Sequence, residues 1–159
     1  MVSHLPSLMQ GLVPLYFSAV DAKVYRSSYP ARKSLPFIEQ LHLKSMICLN
    51  PSDLKSDLRD FCRESNISLF EKNVGFNQEP FVWMNAEAVE EVLRTMADPN
   101  NSPCLVFSNK DARTNCIIGC YRKVYQNWSM VSIFQEIEQY TTSEGSVLDF
   151  AFVEHFELQ

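Results

Sequence analysis

Apolar positions along this chain alternate between short continuous runs and helically spaced sets. Ser45-Met46-Ile47-Cys48-Leu49 and Cys104-Leu105-Val106-Phe107 are runs of the first kind, the pattern of strands buried on both faces. Ile67-Ser68-Leu69-Phe70 is shorter and alternates, which predicts a further strand. Between them lie sets at helical spacing. Leu54, Leu58, Phe61 and Cys62 recur on one face while Asp53, Lys55, Asp57 and Arg59 take the other. Val89, Val92, Leu93 and Met96 form a second stripe, Ile117, Ile118, Cys120, Tyr121 and Val124 a third, and Ile133, Phe134, Ile137 and Tyr140 a fourth.

Punctuating residues set the boundaries. Pro36 opens a short helix carrying Phe37, Ile38 and Leu41; Asn50-Pro51 ends the strand before it, and Ser52 is placed to cap the next helix. A loop over Asn73 to Pro80 leads to a helix from about Asn85, which Asp98-Pro99-Asn100-Asn101 stops. Helices follow from about Thr114 to Gln126, after the cap Ser129, and over Val147 to Phe156. Near the start, Tyr16-Phe17-Ser18 and Lys23-Val24-Tyr25-Arg26 flank the turn-like Val20-Asp21-Ala22, predicting a hairpin or two short edge strands. Residues 1–14 read as irregular and 15–159 as a single domain. Strands alternating with helices predict an α/β sandwich around a central, largely parallel sheet flanked by helices.

At 159 residues and 46% hydrophobic, the chain has enough apolar surface for one core. A formal charge of −5 argues against general nucleic-acid binding. The five cysteines are odd in number, lack CxxC spacing and fall mostly in apolar runs, so they read as reduced core residues of a cytoplasmic protein. His4, His42 and His155 have no metal-ligand spacing; no metal and no cofactor are expected. Without a signal-like N-terminus or a bilayer-length apolar run, no membrane partner is expected either.

The candidate chemistry lies in Pro103 to Gly119, which reads as strand, polar loop and helix start. Ser108, Asn109, Lys110, Asp111, Ala112, Arg113 and Thr114 have the layout of a phosphate-binding cradle. Amides at a helix N-terminus favour an anion, and a guanidinium clasps two phosphate oxygens at once. Spacing alone equally admits an ordinary helix-entry loop, with Ser108, Asn109 and Asp111 satisfying free amides and Arg113 paired with Asp111 or Glu79. Tyr25-Arg26 likewise reads either as part of a ligand site or as a plain edge-strand pair. No cysteine stands at the end of the strand to serve as a thiolate.

Five ordered segments carry a resemblance: Tyr25-Arg26-Ser27-Ser28-Tyr29-Pro30, Leu41 to Ile47, Gln78-Glu79-Pro80-Phe81, Arg113 to Lys123, and Ser132 to Glu136. Together they resemble the plant and fungal atypical dual-specificity phosphatases, which include inositol pyrophosphate phosphatases and oxidant-induced cell-cycle arrest proteins. The resemblance implies a tyrosine-phosphatase-like sandwich. In active members the strand ends in His-Cys, five residues intervene, and Arg-Thr-Gly follows. Here Phe107 and Ser108 stand at the His-Cys positions, four residues precede Arg113, and Asn115 replaces the glycine.

A serine hydroxyl needs an adjacent base to act as nucleophile, and none is near in sequence. The shorter loop realigns its amides, Asp111 brings a repelling charge, and the loop where the family carries its acid has none in Val74 to Asn77, Glu79 being the nearest carboxylate. These departures lead to a pseudophosphatase acting as a regulatory or scaffolding subunit beside related phosphatase-like subunits, with Trp83, Trp128 and Tyr140 as contact candidates. Two alternatives stay open: an active atypical dual-specificity or inositol pyrophosphate phosphatase whose nucleophile was changed to Ser108, and a non-catalytic phosphate or inositol-phosphate sensor.

Overall fold

A computed structural model describes residues 11–80, 82–141 and 147–159. Segments 1–10 and 142–146, with Phe81 of the third resembling segment, lie outside that description, as do His4 and most of the irregular N-terminal stretch. The strands are β1 (Ser18–Ala19), β2 (Val24–Ser28), β3 (Ser45–Cys48), β4 (Ser68–Glu71) and β5 (Cys104–Ser108). The helices are α1 (Leu35–Glu39), α2 (Ser56–Glu64), α3 (Ala86–Ala97), α4 (Asp111–Tyr125), α5 (Met130–Gln139) and α6 (Val147–His155). One sheet runs in the order β1-β2-β5-β3-β4; β1 is antiparallel to β2 and the other pairings are parallel.

β5, apolar from Cys104 to Phe107, sits at the centre because both of its faces must be covered. Cys104 and Val106 join Val24, Ile47 and Leu49 on the face packed by α3, α4, α5 and α6. Leu105 and Phe107 join Met46 and Cys48 on the face packed by α1 and α2 through Phe37, Ile38, Leu58 and Cys62. The expected α/β sandwich with a largely parallel sheet is therefore present. Among the described residues, no helix is long and apolar enough to cross a membrane.

Several boundaries move, each for a local reason. Ser52 does not cap α2. Pro51 instead closes a 3-10 turn over Pro51–Asp53 and Leu54 turns extended to pack on the α1–α2 cluster, so α2 begins at Ser56 with no side-chain cap. The first strand shrinks to Ser18–Ala19 because Tyr16 takes a φ of 54°, while Phe17 leaves the ladder to stack on Tyr25. Asn66, at φ 58°, shifts β4 one residue past the expected start at Ile67. β2 is not an edge: it pairs with β1 on one side and β5 on the other, which buries Arg26. Trp128 and Tyr140 are half-buried, occupied by Arg122 and Arg26 over their rings at 4.0 Å in both cases; Trp83 remains 46% exposed.

Two devices fix the last helices. Lys123 donates from Nζ to the carbonyls of Val153, Glu154 and Phe156 at 3.1, 2.5 and 2.9 Å, neutralising the C-terminal end of α6. Gly119 lets α4, α5 and α6 approach: a Cβ there would lie 3.2 Å from both Ile133 Cγ2 and Val153 Cγ2. Gly119→Leu is accordingly expected to cost about 3 kcal/mol by overpacking, read from the urea-denaturation midpoint.

Candidate functional site

In an open, mostly parallel sheet, the crevice forms beyond the carboxyl ends of the strands where the chain order reverses. β5 lies between β2 and β3, so its end at Ser108 is such a point. Ser108 is fully buried, level with Ser28 across the ladder. Only Asn109 and Lys110 separate the strand from α4, which starts three residues earlier than its apolar spacing predicts. The cause is Asp111: it accepts from Ser28 Oγ at 2.7 Å and places its charge in the first helical turn, where the dipole favours it. Arg113 consequently lies inside the helix rather than closing a loop.

Three amides of the turn are already engaged. Asn109 N donates to Asn50 Oδ1 at 3.2 Å, Lys110 N to Ser108 Oγ at 3.2 Å, and Arg113 N to Lys110 O at 3.0 Å. Arg113 pairs with neither Asp111 nor Glu79. Its Nε donates to Gly75 O at 2.8 Å, and its Nη1 to Asn109 Oδ1 at 2.8 Å, with Ser108 Oγ at 3.5 Å. Gly75 holds φ at 77° while Asn73 Oδ1 accepts its N–H at 3.1 Å; the left-handed turn that glycine permits aims its carbonyl at the guanidinium.

A cavity of about 340 Å³ opens over this turn, lined by Phe76, Asn77, Met84, Lys110, Ala112, Arg113 and Asp149. Of the seven cradle residues, Lys110, Ala112 and Arg113 line it; Asn109 and Asp111 sit beside it, and Ser108 and Thr114 are buried beneath. Glu79 is exposed and is not among the lining residues. The carboxylate in the cleft is instead Asp149, which no sequence pattern above singled out. It is 8% exposed and its Oδ1 accepts from Asn77 Nδ2 at 3.0 Å and lies 3.5 Å from Cys116 Sγ. Burial raises its pKa above the ordinary carboxylate range, opposed by those two hydrogen bonds. Asp149 is the lone acid in the apolar stretch Val147 to Val153, a signal that could have marked it.

The thiols offer no substitute nucleophile. Burial pushes Cys48 and Cys62 up to about 11 and Cys104 and Cys120 up to about 12, and raises Cys116 well above its usual value, with Asp149 adding to the effect. Phe107, at the position of the family's histidine, faces the α1–α2 side and packs edge-on against Tyr29 with centroids 5.4 Å apart. Asn115 is not a strained loop residue but a buried helical one. It accepts from Arg26 Nη2 at 2.6 Å and donates to Tyr140 O at 3.3 Å and Thr141 Oγ1 at 3.2 Å. Arg26 is 2% exposed, and desolvation lowers its pKa to about 10.

A parallel strand running into a two-residue turn and a helix with arginine in its first turn, all inside this sandwich, is phosphatase-type architecture. The chain belongs to the tyrosine phosphatase family, whose sequence model matches residues 11–159. It is 36% identical over 146 residues to the inositol diphosphatase DSP1 of Oryza sativa subsp. japonica, covering 91% of this chain and 65% of that protein. It is 34% identical over 146 residues to the inositol diphosphatase SIW14 of Saccharomyces cerevisiae, covering 91% of this chain and 52% of that protein. The chain thus spans between half and two thirds of the length of these relatives. Its fold superposes on the core catalytic domain of the yeast PP-IP phosphatase SIW14, solved with citrate, with a TM-score of 0.84 and 31% identity, over 93% of this chain and 89% of that one.

Two expectations follow. Asn115→Gly, which installs the family's residue, removes the acceptor of a buried guanidinium and places glycine in a helix; a loss of about 3 kcal/mol is expected in urea denaturation. For Asp149, the folded pKa exceeds the unfolded one, so the native state binds the extra proton. Stability contributed by the protonated carboxyl is therefore present at low pH and lost as pH rises through the raised value. The ionised form also repels an anion in the cleft. Sulfate binding, followed by calorimetry from pH 4 to 8, is expected to weaken with rising pH in the unmodified chain and to vary less in Asp149→Asn.

Proposed function

We propose that this chain is a non-catalytic phosphatase-family protein, a regulatory subunit that holds a phosphate-bearing ligand without hydrolysing it and works beside related phosphatase-like subunits. The observation that carries the reading is Ser108. It stands at the strand end where a thiolate attacks in active relatives, it is fully buried, and among the described residues its Oγ is bonded to an amide and the edge of a guanidinium. Neither neighbour accepts a proton, so nothing there activates the hydroxyl. Arg113, held by Gly75 and Asn109, supports binding of an anion rather than in-line attack on it.

A second reading has its own support. The relatives at 36% and 34% identity are named inositol diphosphatases, which favours turnover of an inositol pyrophosphate by this chain. On that reading Asp149, carrying a proton into the cleft, replaces Glu79 as the acid for the leaving group. Phosphate release from an aryl phosphate and from an inositol pyrophosphate separates the two. The non-catalytic reading expects rates no higher than those of Arg113→Ala, and expects Ser108→Cys alone to stay inactive because the turn is still one residue short and its amides remain misaligned. Turnover by the unmodified chain, abolished in Arg113→Ala, establishes the diphosphatase reading instead. Affinity purification from the native cell checks the partners, with related phosphatase-like subunits expected.

A further inference from the structure

Away from the anion cleft, a groove of about 520 Å³ runs between the start of α3 and the end of α6. Its floor and walls are apolar, formed by Trp83, Ala86, Ala151, Phe152 and Phe156. Helical spacing produces this lining. Ala151 with His155, and Phe152 with Phe156, are pairs four residues apart and so share one side of α6 and its continuation, as Ala86 and Glu90 share one side of α3. Alanine on both walls leaves open the space that larger side chains would fill. The segment after α6 closes one end, where Gln159 N–H donates to Glu90 Oε1 at 2.7 Å. Met84 divides the groove from the cleft: it lines both, is buried, and its N–H is held by Asn77 Oδ1 at 2.8 Å. Trp83, the residue before it, stays half exposed on the groove side.

Charge selects the occupant. Glu157 lines the groove, Glu90 holds its closed end, and Glu87 is exposed next to Ala86. Against these carboxylates stand His155, whose Nδ1 lies 2.9 Å from Ala151 O, and Arg94, already paired with Glu90 at 2.9 Å. Lys123 is committed to the carbonyls at the end of α6. Glu87 and Glu157 therefore have no ion pair among the described residues. An acidic rim repels an anionic bilayer and nucleic acid alike, and a second copy of this chain brings its own charge of −5. A cationic partner gains from the same field. The aromatic floor adds the requirement for an apolar side chain, and an exposed indole also attracts lysine or arginine. We propose that the α3–α6 groove docks a basic, unphosphorylated peptide segment of a partner protein in which apolar residues alternate with lysine or arginine. In an extended segment that alternation turns the apolar side chains to one face, toward Trp83, Phe152 and Phe156, while the cations reach Glu87 and Glu157. Docking there is independent of what the Arg113 cleft holds.

The test is fluorescence anisotropy on the full chain with a labelled peptide of alternating Leu and Lys, beside peptides of alternating Ser and Lys and of alternating Leu and Glu. The Leu–Lys peptide is expected to bind about tenfold more tightly than the Ser–Lys peptide, and the Leu–Glu peptide not to bind. Trp83→Ala, which removes a wall, and Ala86→Trp, which fills the groove from the other side, should each erase the advantage of Leu over Ser. Glu87→Gln combined with Glu157→Gln should weaken the Leu–Lys peptide and flatten its salt dependence. Arg113→Ala should leave its affinity unchanged. Equal binding of the Ser–Lys peptide reduces the effect to charge alone and overturns the groove, as does binding of the Leu–Glu peptide or a Leu advantage that survives either groove variant. Loss of binding in Arg113→Ala would move the peptide into the anion cleft and sink the proposal. So would a Trp83-dependent dimer in sedimentation equilibrium, or Trp83-dependent flotation with phosphatidylserine vesicles, which would give this face to a second copy or to a bilayer.

Discussion

A buried guanidinium that meets no carboxylate among the described residues is the constraint around which the sheet and the cleft are arranged. Arg26 projects from β2 into the α4–α5 side of the sheet, bonded to Asn115 and covered by the Tyr140 ring. An unpaired buried charge is costly, so the groups that solvate it cannot drift. Asn115 locates the first turns of α4, and Tyr140, whose hydroxyl donates to Ser18 Oγ at 2.9 Å, locates the end of α5 against β1. Since Arg113 is two residues before Asn115, the side chain that solvates Arg26 also sets where the cleft's cation stands.

A parallel logic governs the far side of the cleft. Asn77 and Gly75 belong to one loop, Asp149 to the last helix, and Lys123 holds the end of that helix through three carbonyls. The cleft is thus assembled from four separated stretches. Hydrogen bonds reaching across the sequence join them, over and above local turn chemistry such as the left-handed turn at Gly75.

That division explains what could be read from the residues alone. Strands β3 and β5 and the inward faces of α3, α4 and α5 were legible because burial imposes a periodicity that composition cannot hide. The strand end at Ser108 was legible because the apolar run before it is local. Asp149 was not, since its role depends on contacts with Asn77, 72 positions away. Asn115 was misjudged for a related reason: as a replacement for a loop glycine it looked like damage, whereas its worth lies in Arg26, 89 positions distant. The start of α4 was misplaced because the interaction extending it, Ser28 to Asp111, spans 83 positions.

Phe107 carries a lesson about mutational routes. Its ring fills a fully buried slot between Tyr29 and the apolar side chains of α1 and α2. An imidazole there would bring ring nitrogens into a region that offers them no water, so restoring a His-Cys pair at 107 and 108 demands repacking of the face opposite the cleft as well as a longer turn. Each intermediate along such a path loses stability before the pair is complete. The aromatic ring therefore acts as a ratchet, making the present arrangement easy to keep and hard to leave one substitution at a time.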